Sequence, residues 1–215
     1  MIPKLHYISQ GNTPEAHLDN IQNACIHGAT LVQLRLKNVP LDQVLNIAKE
    51  ARAITFQYGT KLIINDHYEV AKEVKADGVH LGKTDSCPTL ARTYLYSWQI
   101  IGGTANTLED CLSLIDKGVD YIGLGPLRFT TTKKNLSPVL GYNGYHIITE
   151  TLKTKTPIIA IGGITIKDVA DLLETGIHGI AVSGEITNDF TKIDAFQQSL
   201  AASLNKEQHH TIENR

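Results

Sequence analysis

The sequence predicts an α/β fold, eight strand–helix units closed into a single-domain (β/α)8 TIM barrel. Three observations carry this expectation. Short, nearly all-apolar runs alternate with longer helical patterns from end to end, as in a parallel sheet covered by helices. A length of 215 residues accommodates eight such units compactly. A weak internal repeat also recurs in Asp77-Gly78-Val79-His80-Leu81-Gly82, Gly118-Val119-Asp120-Tyr121-Ile122-Gly123-Leu124-Gly125 and Gly176-Ile177-His178-Gly179-Ile180-Ala181-Val182-Ser183-Gly184. Each copy has glycine at a helix end, a short apolar strand, and glycine again where the strand stops. A doubly wound open sheet is the rival, since counting strands does not establish closure.

In order, residues 5–9 form the first strand, and Thr13-Pro14 caps and opens a helix to about residue 27. Residues 31–37 alternate apolar and polar side chains, as a strand with two different faces does. Leu41, Val44, Leu45 and Ala48 set helical spacing over residues 40–58. A strand at 61–65 and a short helix at 69–74 follow. The runs Ile100-Ile101-Gly102-Gly103-Thr104 and Ile158-Ile159-Ala160-Ile161-Gly162-Gly163 precede the capping signals Thr107 to Asp110 and Thr165 to Asp168. The last helix spans about 194–204, so the barrel is placed at residues 1–204. Residues 205–215, with His209-His210, read as a polar, disordered tail.

Composition narrows the function classes. The chain is 42% hydrophobic and 20% charged with a net charge of −2, which implies neither a nucleic-acid nor an acidic-membrane partner. Cys25, Cys87 and Cys111 lack metal-ligand or CxxC spacing and fit a reducing compartment. With no apolar leader or long apolar run, a soluble, cytoplasmic protein is expected.

The candidate site lies at the carboxyl ends of the strands, which share one mouth in a barrel. Gln33, Arg35 and Lys37 alternate and so share a face. An arginine fork beside an ammonium suits a diphosphate, although inward charges filling the barrel or a solvated edge would produce the same pattern. Asp66 and Asp85 follow adjacent strands and suit a hard divalent cation, the alternative being helix caps. Gly162-Gly163 and Ser183-Gly184 end the seventh and eighth strands, the habitual phosphate site of this barrel. Between these sites runs Gly125-Pro126-Leu127-Arg128-Phe129-Thr130-Thr131-Thr132-Lys133-Lys134, a loop rich in hydroxyls and ammonium groups. His80 reads as a core or supporting residue, and His27 and His178 as histidines at helix ends.

Together these motifs resemble the thiamine phosphate synthase (thiamine-phosphate pyrophosphorylase) family. The resemblance covers Gln33-Leu34-Arg35-Leu36-Lys37, Ile64-Asn65-Asp66, His80-Leu81-Gly82-x-x-Asp85, Gly103-Thr104, Gly123-Leu124-Gly125-Pro126, Thr130-x-Thr132-Lys133, Ile161-Gly162-Gly163-Ile164-Thr165 and the end of the eighth strand. It implies that 4-amino-2-methyl-5-(diphosphooxymethyl)pyrimidine is bound through Gln33, Leu34, Arg35, Leu36, Lys37, Asn65, Thr104 and Lys133. It further implies Mg2+ on Asp66 and Asp85, and a thiazole phosphate on Thr130, Thr131, Thr132, Gly163, Ser183 and Gly184. Arg35, Lys37 and Lys133 would act on the departing diphosphate in a dissociative reaction that needs no general base. The chain departs from the family pattern at Lys83 (for glutamine), Thr104 (for serine), Phe129 (for proline) and Ser183-Gly184-Glu185 (for a more apolar pattern). Lys83 is expected to add positive charge beside the metal site. The alternatives are a thiazole tautomerase, which lacks the diphosphate and metal residues, and a non-catalytic ligand-binding barrel. A sugar-phosphate epimerase is more distant, since its acid–base pair is not visible.

Overall fold

The computed structural model describes residues 1–129 and 138–213, with side chains described as far as residue 202. The first half runs β1 (Leu5–Ile8), α1 (Pro14–Ile26), β2 (Leu31–Leu34), α2 (Leu41–Tyr58), β3 (Lys61–Asn65), α3 (Tyr68–Glu73), β4 (Gly78–Leu81) and α4 (Pro88–Tyr94). The second runs β5 (Ile100–Ala105), α5 (Leu108–Asp116), β6 (Tyr121–Leu124), α6 (Gly141–Leu152), β7 (Ile158–Ile161), α7 (Val169–Glu174), β8 (Gly179–Val182), α8 (Gly184–Thr187) and α9 (Lys192–Glu213). All neighbouring strands are parallel, and β8 pairs with β1 through His6 opposite Ala181 and Tyr7 opposite Val182. The sheet is therefore a closed barrel in sequence order, β1 to β8. Closure leaves no strand edge to satisfy.

Two expectations about element ends change. β2 stops at Leu34, because Leu34 opposite Ile64 is its last register pair with β3 and the chain then turns away through Asn38 at φ 59°. The last helix continues past residue 204 to Glu213.

Local chemistry explains where helices begin. Thr13 accepts from Ala16 N–H ahead of Pro14, and Thr107 and Asp110 form a reciprocal capping box on α5. Such a cap is worth about 1 kcal/mol. Thr165 instead leads into a short 3-10 turn, Ile166–Asp168, before α7. His27 caps α1, but His178 lies just ahead of β8 and bonds the Ile2 carbonyl at 2.9 Å, so it is not a helix-end histidine.

The main core lies between sheet and helices and includes Leu34, Leu62, Ile64, Val79, Ile122 and Phe196. A side chain of this kind contributes about 1.5–3 kcal/mol by full burial. A smaller cluster of Ile8, Tyr121, Ile159 and Ala181 fills the barrel interior. Two carboxylates staple the amino-terminal rim. Asp77 accepts Leu62 N–H at 2.9 Å and Arg52 at 2.8 Å, while Asp120 accepts Ile101 N–H at 2.7 Å and Arg92 at 2.5 Å. Both sit where the sequence repeat begins a strand, at the rim that serves stability rather than chemistry.

Gly102 faces the interior opposite Tyr121, and a Cβ there would stand 2.1 Å from the buried Tyr121 ring. Gly102→Ala should cost about 1–3 kcal/mol by overpacking. Chemical denaturation measures it, and an unchanged midpoint would contradict this packing.

Candidate active site

At the carboxyl-terminal mouth a cavity of about 580 Å³ reaches down between the strand ends to Tyr121 and Ile159. Gln33, Arg35, Lys37, Asn65, Asp66, Asp85, Thr104, Gly163, Ser183 and Gly184 all line it. Side chains scattered over 152 positions (184 minus 33 plus one) of sequence thus share one wall. Leu34 and Leu36 do not join them. Their side chains are buried in the core on the opposite face, as strand alternation requires, so only their backbone is left for a substrate. Thr130, Thr131, Thr132 and Lys133 lie outside the described residues.

The first half of the site is built where β2, β3 and β4 end. Arg35 N–H donates to Ser9 Oγ at 3.1 Å, and Ser9 Oγ is hydrogen-bonded to His17 Nδ1 at 2.7 Å. That pair anchors the chain leaving β2 to β1 and α1. The Arg35 guanidinium is half-buried, and burial pulls its pKa down against the opposing pull of Asp66. Among the described residues it makes no ion pair or side-chain hydrogen bond. Nearby, the buried Nδ2 of Asn65 has no hydrogen-bond partner among the described residues. A half-buried cation and an orphaned donor on one wall are both costly without an acceptor. The arrangement calls for an anion.

Asp66 and Asp85 face each other beside that wall. Asp66 adopts φ 67°, a left-handed conformation uncommon for aspartate, with its N–H on the His80 carbonyl at 2.9 Å. Burial works to raise the Asp66 pKa, but a hydrogen bond from Asp85 and the Lys37 ammonium hold it below the usual range. Asp85 moves the other way, raised by burial and by its hydrogen bond to and the charge of Asp66. The pair therefore resists carrying two negative charges, as adjacent carboxylates do. Lys37 is ion-paired with Asp66 here, so its charge is divided between this carboxylate and any phosphate. Gly82 N–H donates to Asp85 Oδ2 at 2.7 Å, and a Cβ on Gly82 would lie 2.6 Å from the same oxygen.

Lys83 lines the cavity but bonds Asp110 at 2.7 Å. Asp110 also accepts Asn106 N–H at 2.9 Å and Thr107 N–H at 3.2 Å, so the Lys83 charge is engaged at the α5 cap rather than added at the carboxylate pair. His80 supports Thr104. Its Nε2 lies 2.9 Å from Thr104 Oγ1, and its Nδ1 lies 3.0 Å from the Tyr121 hydroxyl.

The second half of the site is built where β7 and β8 end. Gly162 at φ 100° and Gly163 at φ 69° turn the backbone along the cavity wall. Ser183 Oγ donates to the Ile8 carbonyl at 2.9 Å and lies 3.3 Å from Gln10 Oε1. Its proton is committed to the barrel, leaving backbone N–H groups to face a ligand. Glu185, also on the wall, is ion-paired to Lys192 at 2.8 Å. Sequence reasoning missed Arg128 altogether and took Asp168 only as a helix cap. In the structure Asp168 receives Arg128 through two hydrogen bonds of 2.7 and 2.6 Å.

A closed (β/α)8 barrel whose mouth gathers an arginine without an ion pair among the described residues, a carboxylate pair and two glycine-bearing strand ends has the layout of an enzyme scaffold. The thiamine monophosphate synthase family profile matches residues 5–186. The thiamine-phosphate synthase of Flavobacterium psychrophilum is 47% identical over 206 residues, covering 93% of this chain and all of that protein. That of Flavobacterium johnsoniae is 48% identical, covering 92% of this chain and 95% of the relative. A solved thiamine phosphate pyrophosphorylase from Pyrococcus furiosus superposes with a TM-score of 0.77 at 29% identity, covering 92% and 96% of the two chains. The chain belongs to the thiamine monophosphate synthase family, a family of transferases. No helix among the described residues is long and apolar enough to cross a membrane.

The opposed shifts of the two carboxylates have a consequence for stability. A raised Asp85 pKa contributes stability below the ordinary aspartate pKa, which is lost as pH rises through the folded value. Asp85→Asn removes the repulsion and keeps the Gly82 bond, so in chelator its melting temperature should exceed wild type at neutral pH. The advantage should vanish as pH falls below the carboxylate range. A variant less stable than wild type at pH 7 would contradict the paired-carboxylate geometry.

Proposed function

We propose that the chain joins 4-amino-2-methyl-5-(diphosphooxymethyl)pyrimidine to 4-methyl-5-(2-phosphooxyethyl)thiazole, releasing diphosphate and forming thiamine phosphate. The observation that carries this reading is the wall of Arg35 and Asn65, whose side-chain donors find no acceptor among the described residues, set against the Asp66–Asp85 pair in a cavity that also holds the Gly163 and Ser183 strand ends. That is a site for two anions with charge of both signs at one of them.

The pyrimidine diphosphate is assigned to the β2–β4 side. Arg35 is the bidentate donor, Asn65 Nδ2 and Gln33 supply neutral hydrogen bonds, and Thr104 presents a hydroxyl aligned by His80. The thiazole phosphate is assigned to the backbone N–H groups around Gly163 and Gly184. The ring then lies over the apolar floor of Ile159, Ile161 and Ala181. In a dissociative reaction the C–O bond to diphosphate breaks, and the thiazole nitrogen attacks the pyrimidine methylene. Charge grows on the leaving diphosphate, which Arg35 and Lys37 on the cavity wall would oppose, joined by Lys133 if the family resemblance holds at that position. The nitrogen lone pair needs no base, in keeping with a histidine, His80, that serves Tyr121 and Thr104 instead.

The donor set fits magnesium. Two facing carboxylates that hinder each other's ionisation suit a hard cation, which would offset their repulsion. Among the described residues no group of three or more His, Cys, Asp or Glu offers a fuller cage. Magnesium is commonly held by one or two carboxylates, water and substrate phosphate. Asp66 and Asp85 would hold it, and the ion would supply charge neutralisation to the diphosphate.

The decisive assay incubates the protein with both substrates and Mg2+ and follows thiamine phosphate together with diphosphate. Arg35→Ala and Asp85→Asn should each lower turnover roughly 100-fold or more without unfolding the protein. Near-normal turnover in both would remove the diphosphate–metal assignment. Lys133→Ala should impair the diphosphate step more than thiazole phosphate affinity, which calorimetry with each ligand separates.

A further inference from the structure

Arg128 leaves β6 on the stretch the sequence singles out for its hydroxyls and lysines, yet it does not line the cavity. Its side chain runs instead over the outer face of the Gly162–Gly163 turn. A Cβ on Gly163 would fall 2.5 Å from Arg128 Cγ. Arg128 N–H donates to the Gly162 carbonyl at 3.2 Å, and Arg128 Nη1 donates to the Gly163 carbonyl at 2.7 Å. Two successive peptides thus point their carbonyls at one arginine. In a planar trans peptide the next N–H points the opposite way. The N–H groups of Gly163 and Ile164 are therefore turned away from Arg128, and both residues line the cavity.

The guanidinium is itself held. Asp168, buried, grips Nη1 and Nη2 as a fork and accepts Thr165 N–H at 2.7 Å, Thr165 Oγ1 at 2.9 Å and the Tyr142 hydroxyl. One carboxylate so ties the strand that leaves β6, the first turn of α6 and the loop after β7.

We propose that Arg128, clamped by Asp168 and Tyr142, is a positioning residue that sets the Gly162–Gly163 peptides so their N–H groups bind the monophosphate of the thiazole substrate. The inference rests on the substrate assignment above and adds to it a selective effect on one of the two substrates. Uncharged or shorter side chains at 128 release the carbonyls, and the turn loses its orientation while the diphosphate wall stays intact.

The test is steady-state kinetics of the full-length chain with each substrate varied in turn. Arg128→Gln should raise the KM for thiazole phosphate about tenfold or more, the loss expected for charged hydrogen bonds, with the KM for pyrimidine diphosphate within about twofold. Arg128→Lys, which keeps the charge but not the fork, should recover part of that loss. Tyr142→Phe removes one bond to Asp168 and leaves Arg128 in place. It should shift the same KM in the same direction by less, which decides the matter even if Arg128→Gln does not fold. Equal changes in both KM values, or a lower melting temperature with neither KM changed, would overturn the inference. Should wild type make no thiamine phosphate, the substrate assignment fails. Titration with inorganic phosphate then judges the clamp, which stands only if Arg128→Gln weakens phosphate binding by a similar factor.

Discussion

The pairing of β8 with β1 is the contact on which the rest of the molecule depends. In an open sheet, eight parallel strands would leave two edges, and their carboxyl ends would spread along a line. Closed, they end on one ring, and the period of two along each strand sends Gln33, Asn65, His80, Thr104 and Tyr121 inward while Leu34, Ile64, Val79 and Ile122 meet the helices. Closure is made possible inside by small residues. Gly102 yields its side-chain space to Tyr121, and Gly123 yields to His80. The two rims then divide the work, with Asp77 and Asp120 fastening strands at one end and functional groups gathering at the other.

At the mouth, electrostatics keeps the two halves of the site distinct. On one side Arg35 is held half out of water with no ion pair among the described residues, beside carboxylates too close to ionise independently. Both arrangements raise the free energy of the site, and an anion together with a cation would lower it. On the other side the side-chain charges are already paired, Arg128 with Asp168 and Glu185 with Lys192, and backbone N–H groups are what remains to offer. A diphosphate with a metal and a simple monophosphate ask for these two different surfaces.

Much of this was readable in the one-dimensional pattern. Alternating apolar runs and glycine-punctuated units marked the strands, and residues just beyond them marked the mouth, because strand ends and barrel geometry leave little choice. The reading failed where a side chain's partner is distant in sequence. Lys83 is drawn to Asp110 and His178 to Ile2, and no local spacing announces either. Leu34 and Leu36 were carried into the site by their neighbours in the Gln33 to Lys37 motif, although alternation alone puts their side chains in the core. The helical continuation of α9 to Glu213 was hidden by polar composition, which does not separate a helix from a tail.

The sequence by itself determined the elements, the fold class and the list of groups bound for the mouth, since hydrophobic period and capping chemistry act over a few residues. Only the tertiary structure decided the state of those groups: which arginine makes no ion pair among the described residues, which aspartate is pushed toward its neutral form, and which serine is already spent on a carbonyl. Those outcomes turn on desolvation and on distances of 2.6 to 3.3 Å between residues as much as 175 positions apart. Arg128 and Asp168, 40 positions apart, become a clamp only once β6 and β7 lie side by side.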